Sequence, residues 1–278
     1  MLDGEGPGVR TCATMSGKER RERILEIITE QGFAAVKDLS RTMDVSEMTI
    51  RRDLERLDGE GKMVRHHGGA ASGGFEASPE HAFSTRQREA GQAKLAIGIH
   101  AATLVAPGEV VFLDGGTTTL EAARRLTQER LTVVSNCLPA LQVLGRMPSL
   151  KVIGLGGEFI HENQCFVGPD ALGVLEKLYA NVVLLSTTCL SFERGLTNRD
   201  AREADLKRLM VDHSDRVILV MDSSKMNKQT LSHVCGLDQL DVLVTDDGLR
   251  AEDRAQLEKV GVRVDLVSVT SGGARSRG

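Results

Sequence analysis

The stretch FLDGGTTTLEAARRL, Phe112 to Leu126, carries an apolar run into a Gly-Gly-Thr-Thr-Thr loop and then a helical pattern. Paired glycines let backbone approach a ligand, and amides at a helix start, helped by threonine hydroxyls, suit a phosphate dianion. Asp114, Gly115, Gly116, Thr117 and Thr118 are therefore candidate ligand contacts. An ordinary strand-to-helix turn with a threonine cap would use the same residues. The loop lacks the Gly-Lys-Ser/Thr end of a Walker A loop, and GLGGE at 154–158 is not G-x-G-x-x-G. Neither motif supports a nucleotide site, and no cofactor is expected.

Four further polar clusters follow apolar runs: Ser135–Asn136, Gly156–Gly157, Ser186–Thr188 and Ser223–Lys225. Asn136 can hydrogen-bond sugar hydroxyls or cap a helix. Gly156 and Gly157 admit a ligand to the backbone or simply make a turn. Lys225 can neutralise phosphate, with Asp222 orienting it, or stand in solvent like most loop lysines. The isolated His161, His213 and His233 suggest neither a catalyst nor a metal site.

A second set of residues suits nucleic acid. In SEMTIRRDLERLDGEG, Ser46 is a good N-cap, and Ile50, Leu54 and Leu57 form a buried stripe. Thr49, Arg51, Arg52 and Arg56 are left outside that stripe. Arginine can grip guanine edges or phosphate, and threonine can meet phosphate or a thymine methyl. Arg65, His66 and His67, just downstream, can reach the adjacent backbone. A solvated helix pairing its arginines with Glu47, Asp53 and Glu55 would look the same in isolation.

The surrounding elements decide between those readings. KERRERILEIITEQG places Ile24, Leu25 and Ile28 on one helical face, and VKDLSRTMDV forms a second short helix. A tight turn at Asp44 and Val45 leads to the third helix, and KMVRHHGGA then reads as a hairpin wing. This is a winged helix-turn-helix over 16–71, which shifts the basic helix toward DNA. Residues 1–15 read as a disordered tail without the basic-then-apolar pattern of a signal peptide, 72–84 as a linker rich in small residues, and 271–278 as a second tail.

Over 85–270, seven β-branched runs alternate with helical patterns: VVFLDGGTTT, LTVVSN, LKVIGLGG, VVLLSTT, RVILVMDSSK, VLVTDD and VRVDLVS. Continuous apolar strands separated by helices indicate an α/β domain with a mainly parallel sheet. Ligands bind such sheets off the carboxyl ends of the strands, where the polar clusters fall.

Composition narrows the function classes. The 278 residues include no Trp and one Tyr, which argues against aromatic platforms for single-stranded nucleic acid. Five widely spaced cysteines without a C-x-x-C suggest reduced thiols in a cytoplasmic protein, with neither disulfides nor zinc. No apolar run is long enough for a membrane helix. Net charge is −4, and acids match bases across the first unit, so DNA binding must rest on the placement of charge.

The segment VSEMTIRRDLERLDGEGKMVRHHGGA closely resembles the signature of DeoR-type bacterial transcription regulators. FLDGGTTTLEAA, VVSN, VIGLGGE, RGLT and DSSK extend the resemblance over nearly all of the chain after Lys18. It implies a winged helix joined to a sugar-phosphate sensor domain related to ribose-5-phosphate isomerase, in a dimer or higher homo-oligomer. It also implies phosphate capture by Gly116, Thr117 and Thr118, and repression of carbohydrate genes relieved by the ligand. An activator with the same sensor, or an isomerase-like enzyme with a DNA-binding module, are the alternatives. Aldose–ketose isomerisation needs a carboxylate base. Where the isomerases carry an acidic cluster, NVVLLSTTCLSFERGLT offers Ser186, Thr187, Thr188 and Cys189, with Glu193 downstream. The expectation is a sensor and no enzyme. Asn181, where many members carry Asp, and Ser186–Thr188, where many have a Gly-containing turn, depart from the family pattern, so the usual effectors do not transfer.

Overall fold

The computed structural model describes residues 15–31, 33–59, 63–66, 69–72 and 79–269. Apart from Met15, the tails expected at 1–15 and 271–278 lie outside them. The chain forms two compact units, Met1–Ala82 and Phe83–Gly278.

The first unit contains α1 (Gly17–Gln31), β1 (Phe33–Ala35), α2 (Val36–Met43), α3 (Glu47–Gly59), β2 (Met63–His66) and β3 (Gly69–Ser72). Ile24, Ile28, Leu39, Met43, Ile50, Leu54 and Leu57 interlock as its core. Asp44 ends α2 in the left-handed region at φ 51, and Ser40 Oγ donates to Val45 O at 2.6 Å across the turn. Ser46 then caps α3, its Oγ accepting Thr49 N at 3.2 Å. The wing is an antiparallel sheet in the order β1-β3-β2. β1 is an addition to the sequence reading, because a three-residue strand shows no alternation to detect.

The second unit opens with α4 (Pro79–Arg88) and α5 (Gly91–Thr103), followed by β4 (Val110–Leu113), α6 (Thr117–Ala123), β5 (Thr132–Ser135), α7 (Leu138–Leu144) and β6 (Lys151–Gly154). The hairpin β7 (Glu158–Ile160) and β8 (Cys165–Val167) comes next, then α8 (Pro169–Leu175) and β9 (Val182–Leu185). β10 (Cys189–Ser191), β11 (Gly195–Asn198), α9 (Ala201–Asp212), β12 (Val217–Val220), β13 (Ser232–Cys235), β14 (Val242–Asp246), α10 (Ala251–Lys259) and β15 (Arg263–Val267) complete it. The expected linker at 72–84 is corrected at both ends. Ser72 belongs to β3, and α4 starts at Pro79, where proline is pre-set for a first helical turn. Phe83 of α4 is buried in the core of this unit.

The seven runs expected as strands form one all-parallel sheet in the order β15-β14-β12-β9-β4-β5-β6. Successive side chains alternate between its faces. Val111, Leu113, Val182, Leu184, Ile218 and Val220 pack beneath α5, α6 and α7. Phe112, Val183, Leu185, Leu219 and Met221 face α8, α9 and α10. The order reverses between β4 and β9, and in sheets of this kind ligands bind at the carboxyl ends beside such a reversal. The hairpin β7–β8 and the antiparallel sheet β10-β11-β13 are excursions from those ends.

Candidate functional site

In the first unit, α3 turns its unburied face outward. Ser46, Arg51, Arg52 and Arg56 are exposed and Thr49 is half-buried. Ser46 Oγ lies 3.0 Å from Thr49 Oγ1, so these two hydroxyls are engaged with each other. Arg51 stands 3.5 Å from Glu47 in an exposed pair, which has little energetic weight. Asp53 is different: it is buried and held by Arg20 Nε at 2.6 Å and Arg21 Nη1 at 3.3 Å from α1. It fastens α3 to α1 and leaves Arg52 with no ion pair among the described residues. Arg65 and His66 fall in β2, and His67 lies outside the described residues.

In the second unit, Asp114 closes β4 at the reversal point. Its Oδ2 accepts Ser186 N and Ser186 Oγ, each at 2.8 Å, and the Lys207 ammonium from α9. Ser186 Oγ also donates to Gly115 O at 2.7 Å. Three elements are thereby tied at one buried carboxylate, so Asp114 acts as the organiser of the loop. Gly116 is required by the same knot: a Cβ there would sit 2.8 Å from Ser186 Oγ. One at Gly115 would sit 3.2 Å from Cys165 Cβ. Thr119 Oγ1 donates to Gly116 O at 2.9 Å, while Thr117 and Thr118 are buried at the start of α6.

Next to this knot, Lys225 Nζ donates to Thr187 O at 2.8 Å, joining the end of β12 to the end of β9. Burial pushes its amine down to about 8; Asp222 opposes this, whereas Lys94, Lys207 and Arg86 add to it. Lys94 of α5 is buried with its ammonium on Arg86 O, and burial lowers its pKa as well. Three cations therefore act on Lys225 at the strand ends, with Lys207 paired to Asp114, Asp222 opposing at Lys225 and Lys94, and Glu203 opposing at Arg86. Beyond them, Asn198 Nδ2 donates to Glu203 Oε2 at 2.8 Å and Asn163 holds the other oxygen. Thr188 Oγ1 extends this chain by donating to Asn198 Oδ1 at 2.8 Å.

Asn136, at the end of β5, donates from Nδ2 to Phe166 O at 2.9 Å, and its enclosed Oδ1 has no hydrogen-bond partner. Gly157, at φ 128, would drive a Cβ to 2.4 Å from Val167 O, so local backbone demands it. Gly156 faces open space. Cys137 and Cys165 meet in a bridge behind the loop as free thiols whose pKa values burial raises.

The strand order thus brings Asp114, Gly115, Gly116, Ser186 and Lys225 to the adjoining carboxyl ends of β4, β9 and β12. Of the two departures from the family pattern, Asn181 is at the amino end of β9, where its Oδ1 accepts Val110 N at 2.9 Å, and Ser186–Thr188 follow the opposite end of that strand. Glu193 is exposed on the turn between β10 and β11, whereas Asp114, Asp222 and Glu203 are enclosed. Arg86, Lys94, Lys207, Glu203 and Asn198 were not singled out from sequence. In EADLKRLMV the available signal was Glu203 and Lys207 sharing a helical stripe with Met210.

Comparison with known proteins matches both units. The DeoR-like helix-turn-helix domain matches residues 20–73, and the DeoR C terminal sensor domain matches residues 89–247. The chain is 35% identical over 255 residues to the uncharacterized HTH-type transcriptional regulator YulB of Bacillus subtilis, covering 92% of this chain and 98% of that one. It is 32% identical to the HTH-type transcriptional regulator GlpR of Haloferax volcanii, over 88% of this chain and 96% of that one. It is 31% identical to the lactose phosphotransferase system repressor of Streptococcus mutans, over 91% of this chain and 100% of that one. These relatives are regulators and repressors rather than enzymes. With the helix-turn-helix and the parallel-sheet unit both matched in place, the chain belongs to the DeoR family of transcriptional regulators.

Proposed function

We propose that this protein is a cytoplasmic repressor of carbohydrate-metabolism genes, released from its operator when a phosphorylated sugar or sugar derivative binds the second unit. One observation carries the reading: Lys207 Nζ on Ser186 O at 3.3 Å and Lys225 Nζ on Thr187 O at 2.8 Å bring two ammonium groups to neighbouring residues at the carboxyl end of β9. Lys94 and Arg86 are near enough to depress the Lys225 amine further. Asp114 answers Lys207, and Asp222 and Glu203 offset part of the remaining charge. Burial beside like charges still depresses the Lys225 amine, a penalty that a bound anion would relieve. Lys225 and Lys94 supply charge to the phosphate, while Gly115, Gly116, Thr117 and Thr118 form the adjoining wall. Gly156, facing open space, is the contact for the sugar portion, and the enclosed, unpartnered Asn136 Oδ1 would have to be uncovered to accept a sugar hydroxyl. Asp114 and Gly157 position backbone. On α3, Ser46 and Thr49 set the helix start, and Arg51, Arg52 and Arg56 meet operator DNA, with Arg65 and His67 at the wing. A homo-oligomer would present two such helices to paired half-sites. Release follows if the ligand binds the DNA-free state more tightly.

The test is a thermal-shift panel of sugar phosphates, each beside its unphosphorylated parent, followed by operator binding with the responders. The expected result is that a phosphorylated member raises the melting temperature and weakens operator binding, and that Lys225→Met abolishes both effects. A panel without responders, or parent sugars that work equally well, would overturn the anion reading.

A further inference from the structure

The outward face of α3 has one apolar point near its start. Met48 is 65% exposed and is the large exposed hydrophobic among the described residues of the first unit. It lies in the first turn, two residues after the Ser46 cap. Met48, Arg51, Arg52 and Glu55 fall at i, i+3, i+4 and i+7, one stripe of the helix. Buried Ile50, Leu54 and Leu57 occupy the opposite side, so Met48 projects away from the core among charged neighbours. The polar side chains beside it are partly committed: Ser46 to Thr49, and Glu47 to Arg51.

Early residues of a recognition helix meet base edges in helix-turn-helix proteins. A thioether can neither donate to a base nor pair with phosphate. The apolar feature on the floor of the major groove is the 5-methyl of thymine. Methionine is unbranched and adaptable, which suits a reach to one methyl group. We infer that Met48 is a specificity-determining residue that packs on a thymine methyl of the operator, with Arg52 beside it on the same stripe. The inference rests on DNA binding by α3.

The experiment enriches duplexes from a random-sequence pool with the full-length chain. Each thymine of the enriched operator is then replaced singly by deoxyuridine, which lacks the methyl but keeps the pairing edge. Wild-type affinity is expected to fall roughly four-fold at one thymine position, the size of one buried methyl group. Met48→Ala should lose a similar factor on the unmodified operator and no longer distinguish thymine from deoxyuridine there. Because Met48 is exposed and alanine favours helix, unfolding does not account for such a result. An operator in which no thymine responds, or a Met48→Ala protein that stays equally sensitive, overturns the inference while DNA binding stands. A pool that yields no enriched duplex overturns DNA binding itself, and the inference with it.

Discussion

Lys207 and Asp114 form an ion pair with side chains only 3% and 2% exposed, linking α9 to the carboxyl end of β4. The carboxylate simultaneously accepts the Ser186 amide and hydroxyl, so the pair also fixes the end of β9. A buried pair of this kind gives little net stability against apolar replacement, but losing one member strands a charge.

Lys207→Met should therefore cost about 3–5 kcal/mol in the second unit. Asp114→Asn combined with Lys207→Met should recover a substantial part, because asparagine still accepts from the Ser186 amide. Urea denaturation of the three proteins measures both effects. If the double variant were no more stable than Lys207→Met, the charge would not be the reason for the loss.

Gly116→Ala tests the close approach at the loop. Gly116 has φ 165, extended backbone open to any residue, so the expected cost is steric. The new methyl would meet Ser186 Oγ at 2.8 Å and Cβ at 3.0 Å. A loss of about 1–3 kcal/mol is expected, eased when Ser186→Gly is added. Gly156→Ala, with nothing within 4 Å, should leave stability nearly unchanged. Equal losses at the two glycines would remove Ser186 as the cause.

These contacts show where sequence reading stops. The seven strands of the parallel sheet were legible because each is a continuous apolar run with a polar end. The helix-turn-helix was legible from Ile50, Leu54 and Leu57 with the Ser46 cap. The β7–β8 and β10-β11-β13 excursions were not, because strands such as GLTN and SHVC carry neither a continuous apolar run nor a clean alternation. Lys207 and Glu203 are four apart on α9 and resemble an ordinary surface pair. Each instead turns to a different partner, Asp114 or Asn198, brought close by strand order alone. Met48 falls outside the Ile50, Leu54 and Leu57 stripe by spacing, but only the structure shows how far it is exposed.

Lys225 gives the strand ends a pH dependence. Its pKa near 8 lies below the usual lysine value of about 10.4. Between those values the unfolded chain binds more protons, so stability rises with pH across that window, and the penalty is fully present below 8. An anion beside the amine raises its pKa, so ligand binding should take up a proton just above pH 8 and weaken as pH climbs further. Calorimetry in buffers of different ionisation enthalpy measures that uptake, which should vanish in Lys225→Met. Binding without proton uptake at this pH would place the anion away from Lys225.

On α3 the structure separates arginines that sequence alone treats as equivalent. Arg52 is exposed with no ion pair among the described residues, whereas Arg51 shares its charge with Glu47 at 3.5 Å. Arg52→Ala should weaken DNA binding and reduce the salt slope by about one, with the fold intact. Arg51→Ala should do less, because part of its charge is already answered. Asp53→Ala should also weaken binding, but by another route. It leaves Arg20 and Arg21, with side chains 15% and 18% exposed, without their shared carboxylate and loosens α3 from α1. Melting temperature and salt slope recorded on the same three proteins separate the routes. A slope unchanged by Arg52→Ala would take that residue off the phosphate backbone.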